Sequence, residues 1–220
     1  MLPLWLTVAA WLSVVMALLC AAGLLVDVLR HPQPMAIMNW VWPITALYGG
    51  PLAVWAYVRL GRAVPATPSA GARPFWQGVT VGGTHCGAGC TLGDIIAEVA
   101  LFLTGFTIAG SMLGTEYVAD FALAYILGIV FQYFAIAPMR GLSFWPGLWA
   151  AIKADTLSLT AFEIGLFAWM ALTYFVFFHP PLRPNQVEYW FMMQIGMLIG
   201  FVTAYPMNWW LIRAGIKENM

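Results

Sequence analysis

Six long apolar stretches dominate this chain, each close to the roughly 20 residues that an α-helix needs to cross the hydrocarbon core of a bilayer. Inside lipid no water is present to satisfy backbone N–H and C=O groups, so such stretches fold as helices that bond internally. The spans read at 4–26, 39–58, 91–113, 117–138, 157–178 and 189–211. What remains of the 220 residues is too short for a soluble catalytic domain. With 62% hydrophobic and 8% charged residues the chain cannot build a water-compatible surface, so its first partner is the lipid bilayer. Nine basic residues balance nine acidic ones without a basic run, which leaves no footprint for nucleic acid. Three cysteines are too few for a disulfide scaffold, and the absence of a GxxxxGK[ST] loop means that the chain does not itself hydrolyse ATP. The predicted fold class is an all-α membrane protein of six transmembrane helices.

Six spans put both termini on one side. Arg59, Arg62, Arg73, Arg140, Lys153, Arg213 and Lys217 then fall on that side and only Arg30 and Arg183 opposite, which predicts N-in and C-in topology. The first span lacks a preceding Lys or Arg and reads as a helix, not a signal peptide. The segment Gly61 to Thr84, rich in Pro, Gly, Ala and Ser, reads as a cytoplasmic linker. It separates an N-terminal hairpin (1–60) from a four-helix core (85–220).

That core contains hints of duplication. A shift of 65 residues matches Thr91 with Thr156, Leu92 with Leu157, Glu98 with Glu163, Leu101 with Leu166 and Phe102 with Phe167. Glu116-Tyr117 also rhymes with Glu188-Tyr189, and Pro138-Met139 with Pro206-Met207. Two parallel hairpins would place a site at their interface; chance identity within an apolar alphabet is the alternative.

The segment THCGAGCTLGDIIAEVALF carries most of the chemistry. Cys86, Cys90, Asp94 and Glu98 follow at intervals of four, and each step advances ~40° around a helix, so they form one slowly turning stripe. His85, Cys86 and Cys90 offer an imidazole and two thiols, ligands that Cu(I) or Zn(II) accepts, in a glycine-rich loop on the cytoplasmic side. Buried thiols packed in a turn are the plainer reading. Asp94, Glu98 and Glu163 lie inside predicted spans, where an ionisable group facing lipid costs a few kcal/mol, so they should face one another or a wet cavity. Their plainer role is as neutral helix–helix glue. Thr156, Thr160 and Glu163 form a second polar stripe, and Asp155 reads as a cap at a helix start.

On the opposite side His31, Met35, Met38 and His179 supply imidazole and thioether, with Met192, Met193 and Met197 nearby in sequence. These suit Cu(I) in an oxidising compartment, although Met is also a common filler of membrane helices. Because all three histidines fall at predicted span ends, no haem is expected in the membrane core. Tryptophans at span ends, among them Trp40, Trp42, Trp190, Trp209 and Trp210, read as an aromatic belt. Gly196 and Gly200 mark a close helix contact.

The strings THCGAGCTLGDIIAE, KADTLSLTAFEIGLFAWMA and AYPMNWWLIRAGIKE resemble a bacterial family of small multi-pass membrane proteins known only as a domain of unknown function. The resemblance runs from about Gly83 to the C-terminus and implies a six-helix-like fold and a membrane location, with no established activity; the expected location is the bacterial inner membrane. From the residues themselves the expected function is binding and translocation, or sensing, of a soft transition-metal ion, Cu(I) first and Zn(II) second. A membrane oxidoreductase cycling a Cys86/Cys90 dithiol is one rival. A structural or assembly subunit of a larger complex, or a homo-oligomer, is another.

Overall fold

A computed structural model of the chain describes residues 2–62 and 74–217. Six helices follow one another: α1 (Leu4–Arg30), α2 (Met38–Ala56), α3 (Phe75–Thr104), α4 (Met112–Arg140), α5 (Phe144–Leu172) and α6 (Val187–Arg213). Short π-helical turns continue α2 (Tyr57–Gly61) and α5 (Thr173–Phe177). All except α2 are long and apolar enough to cross a membrane.

The second predicted span is not a span. Pro43 and Pro51 each remove a backbone donor from α2, and between them Gly50 adopts φ 48°, ψ −128°, which breaks the helix. In a straight helix Trp42 and Tyr57 would lie about 22 Å apart. Their rings instead meet edge-on at 5.5 Å, and Gly61 packs on the Trp42 indole, too close to leave room for a Cβ. Tyr57 donates to Asp27 Oδ2 at 2.6 Å and Arg62 pairs with Asp27 at 3.0 Å, so the chain leaves α2 at the end where α1 delivered it. Residues 38–61 are a re-entrant hairpin. Its tip reaches the middle of the bundle, where the Leu47 carbonyl accepts from Gln194 Nε2 at 2.8 Å and Tyr48 stacks edge-on against Phe162. Trp42, expected in an interfacial belt, is wholly buried inside this hairpin. The tip conformation suits glycine alone, because a Cβ at that φ and ψ is sterically excluded. Gly50→Val should therefore lower stability by about 1–3 kcal/mol, seen as a lower melting midpoint in detergent, whereas an unchanged midpoint would show the turn to be unstrained.

With α2 turning back, five crossings remain and the two ends of the chain separate. Helices α1 and α6 run parallel: Thr7 donates to Glu188 near their starts, and Ser13 to Gln194 at 2.8 Å one step further in. Phe75 at the start of α3 meets Trp209 near the end of α6 at 4.8 Å. The chain thus begins at one end of the bundle and finishes at the other, where an even number of spans had predicted one shared side.

Helix α3 also begins well before its predicted position. Residues 75–84, expected in the linker, form its first turns, and the GGTHCGAGC run is helical throughout. Each glycine costs a helix about 1 kcal/mol relative to alanine, but an unsatisfied backbone group in lipid costs more, so the helix continues. The glycines let α4 approach: a Cβ on Gly93 would collide with the Ala124 backbone, and one on Gly89 would lie 2.6 Å from Gly128 Cα. The predicted contact at Gly196 and Gly200 is present on α6, where a Cβ on Gly200 would stand 2.7 Å from the Phe162 carbonyl. Residues 63–73 of the predicted linker, Arg73 among them, lie outside the described residues.

Candidate functional site

The predicted stripe on α3 lies on the buried side of its helix: Cys86, Cys90, Asp94 and Glu98 are each no more than 2% exposed. What faces the stripe comes from α4, α5 and α6. Asp120 on α4, Asp155, Ser158 and Glu163 on α5, and Tyr189 and Asn208 on α6 are all buried.

From the C-terminal end of the bundle, Lys217 Nζ donates to Asn208 Oδ1 at 2.7 Å and to Ser158 Oγ at 3.4 Å. Lys217 also stands within electrostatic range of His85 and Asp155. Asp155 lies beside Cys86, Cys86 beside Cys90, and Cys90 beside Glu163 and Asp94. Asp94, Glu163 and Asp120 form a mutual cluster, and Asp120 borders Glu98. Glu98 lies beside Tyr189 and faces Glu116, which in turn faces Arg183 at the N-terminal end. A cavity of about 240 Å³ opens there, with Glu116, Arg183 and Tyr189 in its wall. Ionisable side chains, each within electrostatic range of the next, thus form a file along the bundle, and Asp120 interacts with both glutamates that the duplication argument placed at one depth.

Many of these polar atoms have no hydrogen-bond partner among the described residues: both carboxyl oxygens of Asp94 and of Glu163, both ring nitrogens of His85, Asp155 Oδ2, Glu98 Oε2 and the hydroxyls of Tyr48 and Tyr189. Leaving a carboxylate ionised and unpaired in an apolar interior costs several kcal/mol. Each acid must hold a proton, a water or a cation to be stable there.

Several predicted ligands are not where the sequence suggested. His85, Cys86 and Cys90 do not sit in a cytoplasmic loop: they are fully buried about three turns into α3. The outer set divides. His31 is at the C-terminal end of α1, 3.2 Å from Asp27, while His179 follows α5 at the opposite end and lines a cleft with Pro3 and Trp5. Met38 is packed against Trp42, and Met192, Met193 and Met197 are in the apolar core. Among the described residues no group of three or more His, Cys, Asp or Glu side chains is arranged to hold a metal ion. Thr156 and Thr160 donate to the carbonyls of Ile152 and Thr156, and the Tyr125 hydroxyl of α4 meets Thr156 Oγ1 at 3.1 Å, so that stripe serves its own helix and its contact with α4. Asp155 is no cap, because α5 starts at Phe144 and carries it deep into the bundle.

Reasoning from sequence missed Asp120, Lys217, Asn208, Ser158 and Tyr189. Asp120 was available by the rule that selected Asp94, an acid inside an apolar run, but it fell one turn inside a predicted helix start, where acids are ordinary. Nothing in the sequence signalled that the chain's last lysine folds back into the bundle.

Five crossing-length helices around a buried file of ionisable groups define a multi-pass helical membrane protein. The chain belongs to the DUF4396 family, a domain of unknown function, whose model matches residues 75–217. Those residues run from the start of α3 to Lys217 and hold every member of the file. No curated protein and no solved structure matches the chain.

Proposed function

We propose that the protein moves protons through the bundle along this file, as a multi-pass protein of the bacterial cytoplasmic membrane with its N-terminus outside and its C-terminus inside. The observation that carries the reading is the unbroken sequence of buried ionisable groups, with unpartnered oxygens on Asp94 and Glu163 at its centre. Intramembrane acids that face a bundle interior mark ion and proton pathways. Each can take a proton from one neighbour and release it to the next, with Asp120 passing it between Glu163 and Glu98. The test is direct. Purified protein in liposomes loaded with a pH-sensitive dye, under a potassium diffusion potential, should admit protons faster than protein-free liposomes. Equal rates would reject the relay.

A second reading rests on the adjacency of Cys86 and Cys90 with Asp94 and Glu163 behind them. In that reading a soft or borderline ion, Cu(I) or Zn(II), binds the two thiolates partway along the file. Metal per protein after loading should then be near one and fall to background in Cys86→Ser, Cys90→Ser. Identical contents in the two proteins would leave the thiols as packing.

The duplication fits the geometry better in a different register. Helices α3 and α5 both open Phe-Trp-x-Gly, at Phe75 and Phe144. Aligning these starts pairs Asp94, and not Glu98, with Glu163, the two acids that adjoin in the central cluster. We infer a parallel repeat of α3–α4 and α5–α6 in which the central pair is the repeated element.

A further inference from the structure

At the C-terminal end the file does not open freely. After α6 the chain turns through Gly215 (φ 69°), and the Lys217 backbone N–H returns to the Leu211 carbonyl at 3.2 Å. This tight reversal points the lysine side chain back into the bundle, where Lys217 is only 2% exposed. The lysine stem passes over Gly82 of α3, where a Cβ would stand at ordinary van der Waals distance, 3.8 Å, from Lys217 Cε. The ammonium is received by Asn208 Oδ1 and Ser158 Oγ, with the Asp155 carboxyl within electrostatic range. His85 also faces it, with both ring nitrogens unpartnered. A buried ammonium needs acceptors on several sides, and this pocket supplies an amide oxygen, a hydroxyl and a carboxyl from two helices.

We propose that Asn208, Ser158 and Asp155 form a cation-binding site at the C-terminal mouth of the file, selective for a small monovalent cation such as a primary ammonium, and that Lys217 is its tethered occupant. The lysine stands where a cation passing through the mouth would be bound, so the tail closes the file when seated and opens it when withdrawn. The site stands on its own geometry; the gating role rests on the relay proposed above. One feature favours a removable plug over a fixed ion pair. Among the described residues Lys217 makes no carboxylate salt bridge, and its two hydrogen bonds there go to neutral oxygens. Its withdrawal therefore costs less than breaking a buried ion pair would.

The test uses the full chain with Lys217→Ala and ethylammonium chloride as the probe, tetramethylammonium chloride at equal ionic strength being the control. Ethylammonium should raise the melting midpoint of the variant by roughly 4 °C or more, with little effect on the parent, whose site is filled. If the variant does not fold alone, recovery of folded protein during purification in ethylammonium, but not in tetramethylammonium, supports the site equally. No difference between the two salts, in melting or in recovery, overturns it. In liposomes Lys217→Ala should pass protons several-fold faster than the parent, and ethylammonium should return the rate towards the parent value. If Glu163→Gln stops the flux while Lys217→Ala neither raises it nor responds to ethylammonium, the gate is overturned and the relay stands. If no protein conducts but ethylammonium still stabilises Lys217→Ala selectively, the cation site stands and the relay falls.

Discussion

Glu163→Gln should slow proton entry into proteoliposomes by roughly 10²- to 10⁴-fold, the range that one positioned proton-transferring group contributes, with the fold retained. Glutamine keeps the volume and the hydrogen-bonding capacity of the side chain and removes only its ability to exchange a proton. Glu163 is the sharpest place to make the change, because it lies beside Cys90 and within electrostatic range of Asp94 on one side of the file and Asp120 on the other. Among the described residues no strong hydrogen bond reaches its oxygens, and the neighbouring Cys90 thiol, a weak donor, can donate to a glutamine oxygen as to a carboxyl, so melting should stay within about 1 kcal/mol of the parent. Asp94→Asn should behave alike, and the double variant should be at most about twofold slower than either single one, far short of the product of the two losses, because delays at steps in series add. A Glu163→Gln protein that conducts at the parent rate would show that the file is static packing. One that unfolds would show the carboxyl to be structural, and the Asp94→Asn rate would then decide.

The elements legible in the sequence are those fixed by a bulk requirement. Apolar runs above crossing length predict helices because lipid leaves the backbone no other partner, and α1, α4, α5 and α6 accordingly overlap their predicted ranges, most of them lengthened by a turn or more. The stripe on α3 was legible for a related reason, since the i, i+4 spacing of Cys86, Cys90, Asp94 and Glu98 survives any uncertainty about where the helix starts. Hydropathy fails where local stereochemistry decides. The α2 region is apolar enough to pass for a span, but Gly49-Gly50-Pro51 at its centre is a turn signal, and one residue at positive φ reverses the chain. Misreading that turn changed the parity of the crossings, and so displaced His31 from His179 and broke the predicted outer ligand set.

The glycine-rich run illustrates the opposite error. GGTHCGAGC would be a loop in water, where glycine's conformational freedom opposes helix. In the bundle that cost is outweighed by close packing on Ala124 and Gly128, and the thiols move from a surface loop to the core. Residues on other helices that complete the site, Asp120, Ser158, Asn208 and Lys217, depend on tertiary placement that no local pattern encodes. They could be recognised only once the helices were assembled.

Reporter fusions should place the N-terminus outside the cytoplasm and the C-terminus within it, an all-or-none result opposite to the shared-side prediction. The re-entrant hairpin brings Arg59 and Arg62 to the end of the bundle where Arg30 closes α1, and Arg62 shares Asp27 with that end. Arg140 at the end of α4, Arg213 at the end of α6 and Lys217 after it lie at the same end, and Lys153 is on the part of α5 nearer to it. Arg183, between α5 and α6, stands alone at the other among the described residues. Seven basic residues against one is a stronger bias than the seven against two read from the sequence, since the re-entrant turn brings Arg30 over to the majority. Cytoplasmic segments are enriched in Lys and Arg, so the end carrying the seven, with the C-terminus, is the one expected to face the cytoplasm. The hairpin then enters from the cytoplasmic face, and the Lys217 plug closes the file from that side. An alkaline phosphatase fusion active at the N-terminus and inactive at the C-terminus, with a fluorescent protein fusion bright only at the C-terminus, is the expected pattern. Both termini reporting cytoplasm would mean that α2 crosses after all, and would remove the re-entrant hairpin together with the placement of its arginines.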